Sequence, residues 1–190
     1  EAEYYEAICK QIEYYKGLSE DYSIAFPVRT GCRNKWLNLA SQRKNFIAEV
    51  KTRRLRGLIG NLRLSDKRFI CFAGNIEQAK LLGADHAVHS GNNNKHNQEL
   101  IDLFNGKDNN ELFAVKMLRE GVNLTDIEVG VITQLDSDVG TFFQMLGRCL
   151  RNEFPVMHLL VIENTQDSKY YSKAMKGFHK KYIKEIKAYE

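Results

Sequence analysis

No stretch of eighteen apolar residues occurs in the 190-residue sequence, so no membrane-spanning helix is expected. The chain begins Glu1-Ala2-Glu3-Tyr4-Tyr5, acidic and aromatic where a secretory leader would be basic and then apolar, and no signal peptide is expected. Cysteine is sparse. Cys9, Cys32, Cys71 and Cys149 contain no C-x-x-C pair, which argues against a zinc ribbon or a disulfide framework and fits reduced thiols in a cytoplasmic setting. The five histidines are dispersed as well, and no metal site is expected from them. Also missing are the phosphate-cradling pattern G-x-x-x-x-G-K followed by Ser or Thr and any D-E-x-H-like magnesium motif. A chain without both is not expected to build a complete ATP site alone. The same lack of a glycine-rich loop after the first expected strand disfavours a small kinase-like or flavodoxin-like enzyme.

What is present is enough for one good core, since 43% of the residues are hydrophobic, with room for an attached helical subdomain. The net charge of +4 is unevenly spread. Between Arg29 and Arg68 twelve basic residues stand against Glu49 and Asp66, a net of +10. Such a block is a candidate footprint for a phosphate backbone, and equally a solvated helical surface. A second basic run, Lys169 to Lys187, reads as a soluble end.

In chain order, Tyr5, Ile8, Ile12 and Tyr15 predict a first helix from residue 1 that ends near Gly17. Pro27 predicts a looser stretch over Ser23 to Gly31. Trp36, Ala40, Ile47, Val50, Leu55, Leu58, Ile59 and Leu62 set a second helical stripe, with Gly57 and Gly60 as candidate breaks. Residues 1–64 thus read as a helical arm. From Ser65 short apolar strands alternate with helices, the pattern of a parallel α/β sheet over residues 65–190. Strands are expected at Arg68–Ala73, His86–His89, Glu111–Lys116, Val129–Gln134 and Met157–Glu163, the last as a central strand. The strand-end loops Gly74-Asn75, Ser90-Gly91 and Leu118–Asn123 offer backbone amides to phosphates.

The most informative stretch is Gln144–Arg151, Q-M-L-G-R-C-L-R. With Ser137 or Asp138 as cap, Val139, Phe142, Phe143, Leu146 and Leu150 are expected to face a core, leaving Gln144, Arg148 and Arg151 on the opposite face. Gly147 adds no side chain there. Two guanidiniums a turn apart suit an anion, although arginines on a helix face are also ordinary solvated surface.

The spacing Gln-x-x-Gly-Arg-x-x-Arg resembles the last motif of superfamily 2 helicases and translocases, which supplies arginine fingers to bound ATP. Arg119-Glu120-Gly121-Val122-Asn123 looks like the motif that couples ATP to the nucleic-acid path. Phe69–Asn75, His89-Ser90-Gly91 and Leu103-Phe104-Asn105-Gly106 are similar to successive elements of the second motor lobe. The flavour is that of helicase subunits related to restriction enzymes and phage DNA helicases. Asn123 stands where many relatives carry an aspartate, keeping an acceptor and losing the charge. The resemblance implies a RecA-like C-terminal lobe preceded by its helical connector, with Arg148, Arg151 and Gln144 catalytic, and Glu120, Gly121, Asn123 and Gly147 on the nucleotide. It further implies that Gly74, Asn75, Ser90, Gly91 and Leu118 track nucleic acid, and the basic arm, with Arg53, Arg54 and Arg56, is the candidate to join them. The implied cofactors are ATP and magnesium, held mainly by an N-terminal lobe outside this sequence. The implied partner is DNA, with RNA the alternative. A non-catalytic α/β binding module for nucleic acid or protein is the competing reading. An upstream segment carrying the phosphate loop would discriminate between the two.

Overall fold

The computed structural model describes residues 1–115 and 124–187. The first element, α1 (Ala2–Glu20), runs three residues beyond the expected end at Gly17. The stretch expected to be loose after it is short, because α2 (Phe26–Leu64) begins at Phe26 with Pro27 in its first turn. There the missing proline N–H costs nothing, since first-turn amides have no intrahelical partner. Gly57 and Gly60 do not break α2, which at 39 residues is about 58 Å long.

The strands are β1 (Phe69–Phe72), β2 (Ala87–Val88), β3 (Glu111–Ala114), β4 (Val129–Ile132) and β5 (Val156–Leu159), all shorter than expected. They form one sheet in the order β2-β3-β1-β4-β5, and every pairing is parallel. The connecting helices are α3 (Ile76–Gly83), α4 (Asn94–Asn105), α5 (Val139–Cys149) and α6 (Gln166–Ala174). This is the RecA-like arrangement, a parallel sheet flanked by helices and preceded by a helical arm. β5 corrects one expectation: it is an edge strand and only partly buried, not a central one. Its apolar residues cover one side of β4, while the buried centre of the sheet is β1.

The caps are written in the sequence. Asn75, Asn93, Asp138 and Thr165 each accept a backbone N–H in the first turn of α3, α4, α5 and α6. Two cores lie on the two faces of the sheet. One joins Ile70, Val88, Leu112 and Ile132 to α4 and α5. The other joins Phe69, Cys71, Phe113 and Val131 to α3 and to Leu55, Ile59 and Leu62 of α2. The far half of α2 packs instead on α1 through Leu39, Trp36, Ile8 and Ile12. One continuous helix therefore belongs to the arm at its start and to the sheet's core at its end. Gly130 lets α5 and β5 close on β4, because a Cβ there would collide with Met157 and Cys149.

At least five of the twelve residues of the basic block are tied to partners brought from other parts of the fold. Arg63 makes a forked pair with Glu111 at 2.6 and 2.9 Å, and Lys67 binds Glu128. Arg68 is buried, donates to the carbonyls of Phe104, Asn109 and Thr125, and lies over the Phe104 ring. Lys44 pairs with Asp136 at 3.1 Å, and Lys51 is buried against Asp167. A footprint of +10 is thus not what the surface presents. Arg53, Arg54 and Arg56 are exposed on the middle of α2, and Arg33 and Lys35 are exposed nearer its start.

Candidate functional site

In a parallel sheet every strand ends on the same edge, and here that edge is built around a buried polar network. The Gln78 side chain is its hub. Its Oε1 accepts from the Gly74 amide and the Thr133 hydroxyl, both at 2.8 Å, while Nε2 donates to the Ala48 carbonyl at 2.8 Å and Thr52 Oγ1 at 3.1 Å. Lys51 Nζ donates to the Thr133 carbonyl and to Asp167, whose carboxylate also accepts from the Ile162 amide. Burial lowers the Lys51 pKa, and the Asp167 charge opposes that shift. α2 is therefore bolted to the ends of β1, β4 and β5.

None of Lys51, Thr52, Gln78, Thr133 and Asp167 was picked out as functional from the sequence. Two of them carried a signal. Gln78 stands three residues after the cap Asn75, the spacing of a capping box, and Lys51 interrupts the apolar stripe Ile47, Leu55, Ile59 at helical spacing.

The expected strand-end residues come together on this edge. Gly74 sits directly against Gln134, whose side-chain oxygen would have to swing aside to admit a Cβ there. Asn75 caps α3 with its carbonyl oxygen and donates its amide to Asn45 of α2 at 3.1 Å. Ser90 and Gly91 lie in a loop pinned by Asn97, which bonds the His89 amide and carbonyl and the Asn92 amide. The Gly91 amide donates to His89 Nδ1 at 3.1 Å, which requires that nitrogen to be unprotonated. Leu118, Glu120, Gly121 and Asn123, together with Arg119, lie outside the described residues.

This loop gives a pH dependence with a definite sign. Burial, then the charges of Lys80 and His96, hold the His89 pKa below its usual value, and burial does the same to His158. Below about pH 6.5 the unfolded chain takes up these protons first, so stability is complete above that pH and is lost as pH falls toward the folded values. Urea unfolding between pH 7.5 and 5 should show this loss, and His89→Gln should flatten it. An unchanged slope in the variant would remove His89 from the account.

The arginine motif sits elsewhere. Asp138 caps α5, and Phe142, Leu146 and Cys149 are the residues it buries. Phe143 and Leu150 do not face the core as expected, being 48% and 52% exposed; Phe143 stacks on Phe178 instead, with centroids 5.9 Å apart. The buried face of this helix is narrower than the five apolar residues suggested. Gln144 is exposed and Arg148 half-buried, one turn apart on α5, and the space over Gly147 is open. Arg151 lies in the turn two residues beyond the end of α5, so it does not share a helix face with the other two. Arg148 and Arg151 each make a further interaction.

α5 runs from the carboxyl end of β4 back toward the start of β5. Arg148, nine residues along it, is about 14 Å from the helix start. Cys149, next to Arg148, packs at Gly130 near the start of β4, whereas the glycine loops follow the strand ends, so the two sets do not form one cluster. Among the described residues no group of three His, Cys, Asp or Glu side chains could hold a metal ion, and no helix is long and apolar enough to cross a membrane.

Of the basic arm, Arg53 and Arg56 share one cleft with Asn75, while Arg54 does not line it. Candidates far apart in sequence, Arg53 and Arg56 on α2 and Asn75 after β1, therefore meet in space.

Comparison with known proteins bears on the fold and the motif together. The helicase domain of Hef from Pyrococcus furiosus is similar at 19% identity with a TM-score of 0.45, over 90% of this chain and 38% of that one. The chain therefore spans less than two fifths of that structure's length. Comparison with curated proteins gives no match. A family model described as "Helicase conserved C-terminal domain" matches residues 50–153, more than half of the chain, from the middle of α2 through the arginine motif. This chain belongs to the helicase conserved C-terminal domain family.

Proposed function

We propose that the chain is the C-terminal motor lobe of an ATP-dependent superfamily 2 helicase or translocase acting on DNA. The observation that carries this reading is the Gln144-x-x-Gly147-Arg148-x-x-Arg151 motif on and just after α5, inside the span matched by the helicase family. In this reading an N-terminal lobe supplies the phosphate loop and the carboxylates for magnesium. ATP between the lobes closes one on the other. Arg148 and Arg151 then stabilise charge on the transferred phosphoryl, a contribution of about 10³ to 10⁵ in rate for such fingers. Gln144, one turn before Arg148, orients a water or relays a hydrogen bond. The Gly74-Asn75 and Ser90-Gly91 loops, after β1 and β2, contact the nucleic-acid strand, and residues 1–64 are the connector from the first lobe. Kinship to restriction-enzyme and phage helicases rests on the motif pattern alone.

The 190-residue chain by itself should hydrolyse no ATP, whereas the protein carrying both lobes should show magnesium-dependent turnover stimulated by single-stranded DNA. Turnover by the isolated chain that disappears in Arg148→Ala would contradict the division of labour. A two-lobe protein that binds DNA without turnover would favour the binding-module reading.

A further inference from the structure

A cleft of about 690 Å³ lies where α1, the middle of α2 and α3 meet, bordered by the Gly74-Asn75 loop. Its charges nearly cancel, since Arg53 and Arg56 are matched by Glu49 and Glu77. That excludes a general phosphate track, which would be basic along its length. Phosphate can be held only at the arginine end, where residues 53 and 56 are three apart on α2 and so on one face.

The opposite end is aromatic. Tyr4 and Phe46 meet edge to face with centroids 4.9 Å apart, and Tyr4 is 53% exposed although it packs against α2. A half-open ring on a helix is poor packing and a good platform for a flat apolar ligand. The floor does not compete for that ligand. Thr52 and Gln78 are buried there, and their side chains bond each other, the Ala48 carbonyl of α2, and Gly74 and Thr133 at the strand ends. Asn45, whose side-chain oxygen accepts from Asn75, and Gln42 both line the cleft. Rings at one end, amides on the wall and two guanidiniums at the other are the chemistry of an unpaired base with its phosphate.

We propose that this cleft is a stacking subsite for one unpaired nucleotide of a bound single strand, with the base on Tyr4 and Phe46 and its phosphate on Arg53 and Arg56. The phosphate displaces Glu1 from Arg53, an exposed pair at 3.1 Å. The proposal rests on the helicase reading and adds a contact from the connector, outside the motif loops. It makes the connector a part of the nucleic-acid path, continuous with the loop at the end of β1.

The test uses the protein carrying both lobes and a single-stranded DNA oligonucleotide with 2-aminopurine at successive positions. One position should be quenched on binding. Tyr4→Ala and Phe46→Ala should each weaken binding by roughly ten-fold and abolish that quenching, with the salt slope unchanged, while Tyr4→Phe should retain both. Arg53→Ala with Arg56→Ala removes the contact to that one phosphate and should lower the log-log salt slope by about 0.7. Because Phe46 is partly buried, thermal melting accompanies each variant, and Tyr4 carries the decision if Phe46→Ala fails to fold. Unchanged affinity and quenching in folded Tyr4→Ala would overturn the proposal, and so would free dAMP binding that needs the same residues while strand affinity does not. Wild-type protein that binds no strand at all would instead overturn the helicase reading itself.

Discussion

In the protein carrying both lobes, Arg148→Ala should lower ATP turnover by two to five orders of magnitude while moving nucleotide affinity much less. An interaction made mainly in the transition state is lost from kcat rather than from ground-state binding. Arg148 is half-buried one turn after Gln144, so its removal should cost about 1 kcal/mol of stability at most. Arg151→Ala should act in the same direction, although its position in the turn after α5 gives it a backbone less fixed by helix packing than that of Arg148. Phe142→Ala inverts the pattern. Phe142 is buried among Leu146, Phe178 and the sheet, and its loss should cost about 3 to 5 kcal/mol, with activity falling only as the lobe unfolds. Melting and steady-state ATPase for the three variants side by side decide the matter. If the arginine variants unfold as readily as Phe142→Ala, or leave turnover intact, α5 is a structural helix.

The second large effect belongs to the buried pair. Lys51→Ala leaves Asp167 charged without its partner, and Asp167→Ala leaves Lys51 charged; both side chains are only 3% exposed. Each single change should cost about 3 to 5 kcal/mol, or roughly 6 to 20 °C in melting temperature for a chain of this size. Lys51→Met with Asp167→Leu removes both charges and should recover part of that loss. Recovery is incomplete because the Thr133 carbonyl and the Ile162 amide lose their partners as well. Urea unfolding of the unchanged protein, Lys51→Met, Asp167→Leu and the double variant gives the coupling energy. A coupling near zero would mean that water enters the site and the pair contributes nothing.

Elements and caps could be read directly from the amino-acid order because they depend on neighbours a few residues apart. Asn75 and Asp138 cap where their side chains reach an amide two or three residues on, and the alternation of apolar runs with polar turns identifies the parallel sheet. The arginine motif was visible for the same reason, since four residues make one turn of helix. Pro27 misled because one residue type has two meanings, breaking a helix interior and opening a first turn, and local sequence does not say which applies.

What tertiary structure alone decided is where charge and burial end up. A lysine on an apolar stripe, Lys51, becomes a buried ion pair only because α6 brings Asp167 from 116 positions away. Twelve basic residues in forty positions look like one patch until Glu111, Glu128, Asp136 and Asp167 arrive from other elements to pair with four of them. β5 reads as central from its composition and is an edge, since strand order is set by crossover connections and not by hydrophobicity. The cleft has the same origin: Tyr4, Phe46, Arg56 and Asn75 converge through helix packing, a long-range outcome that no spacing in the sequence encodes.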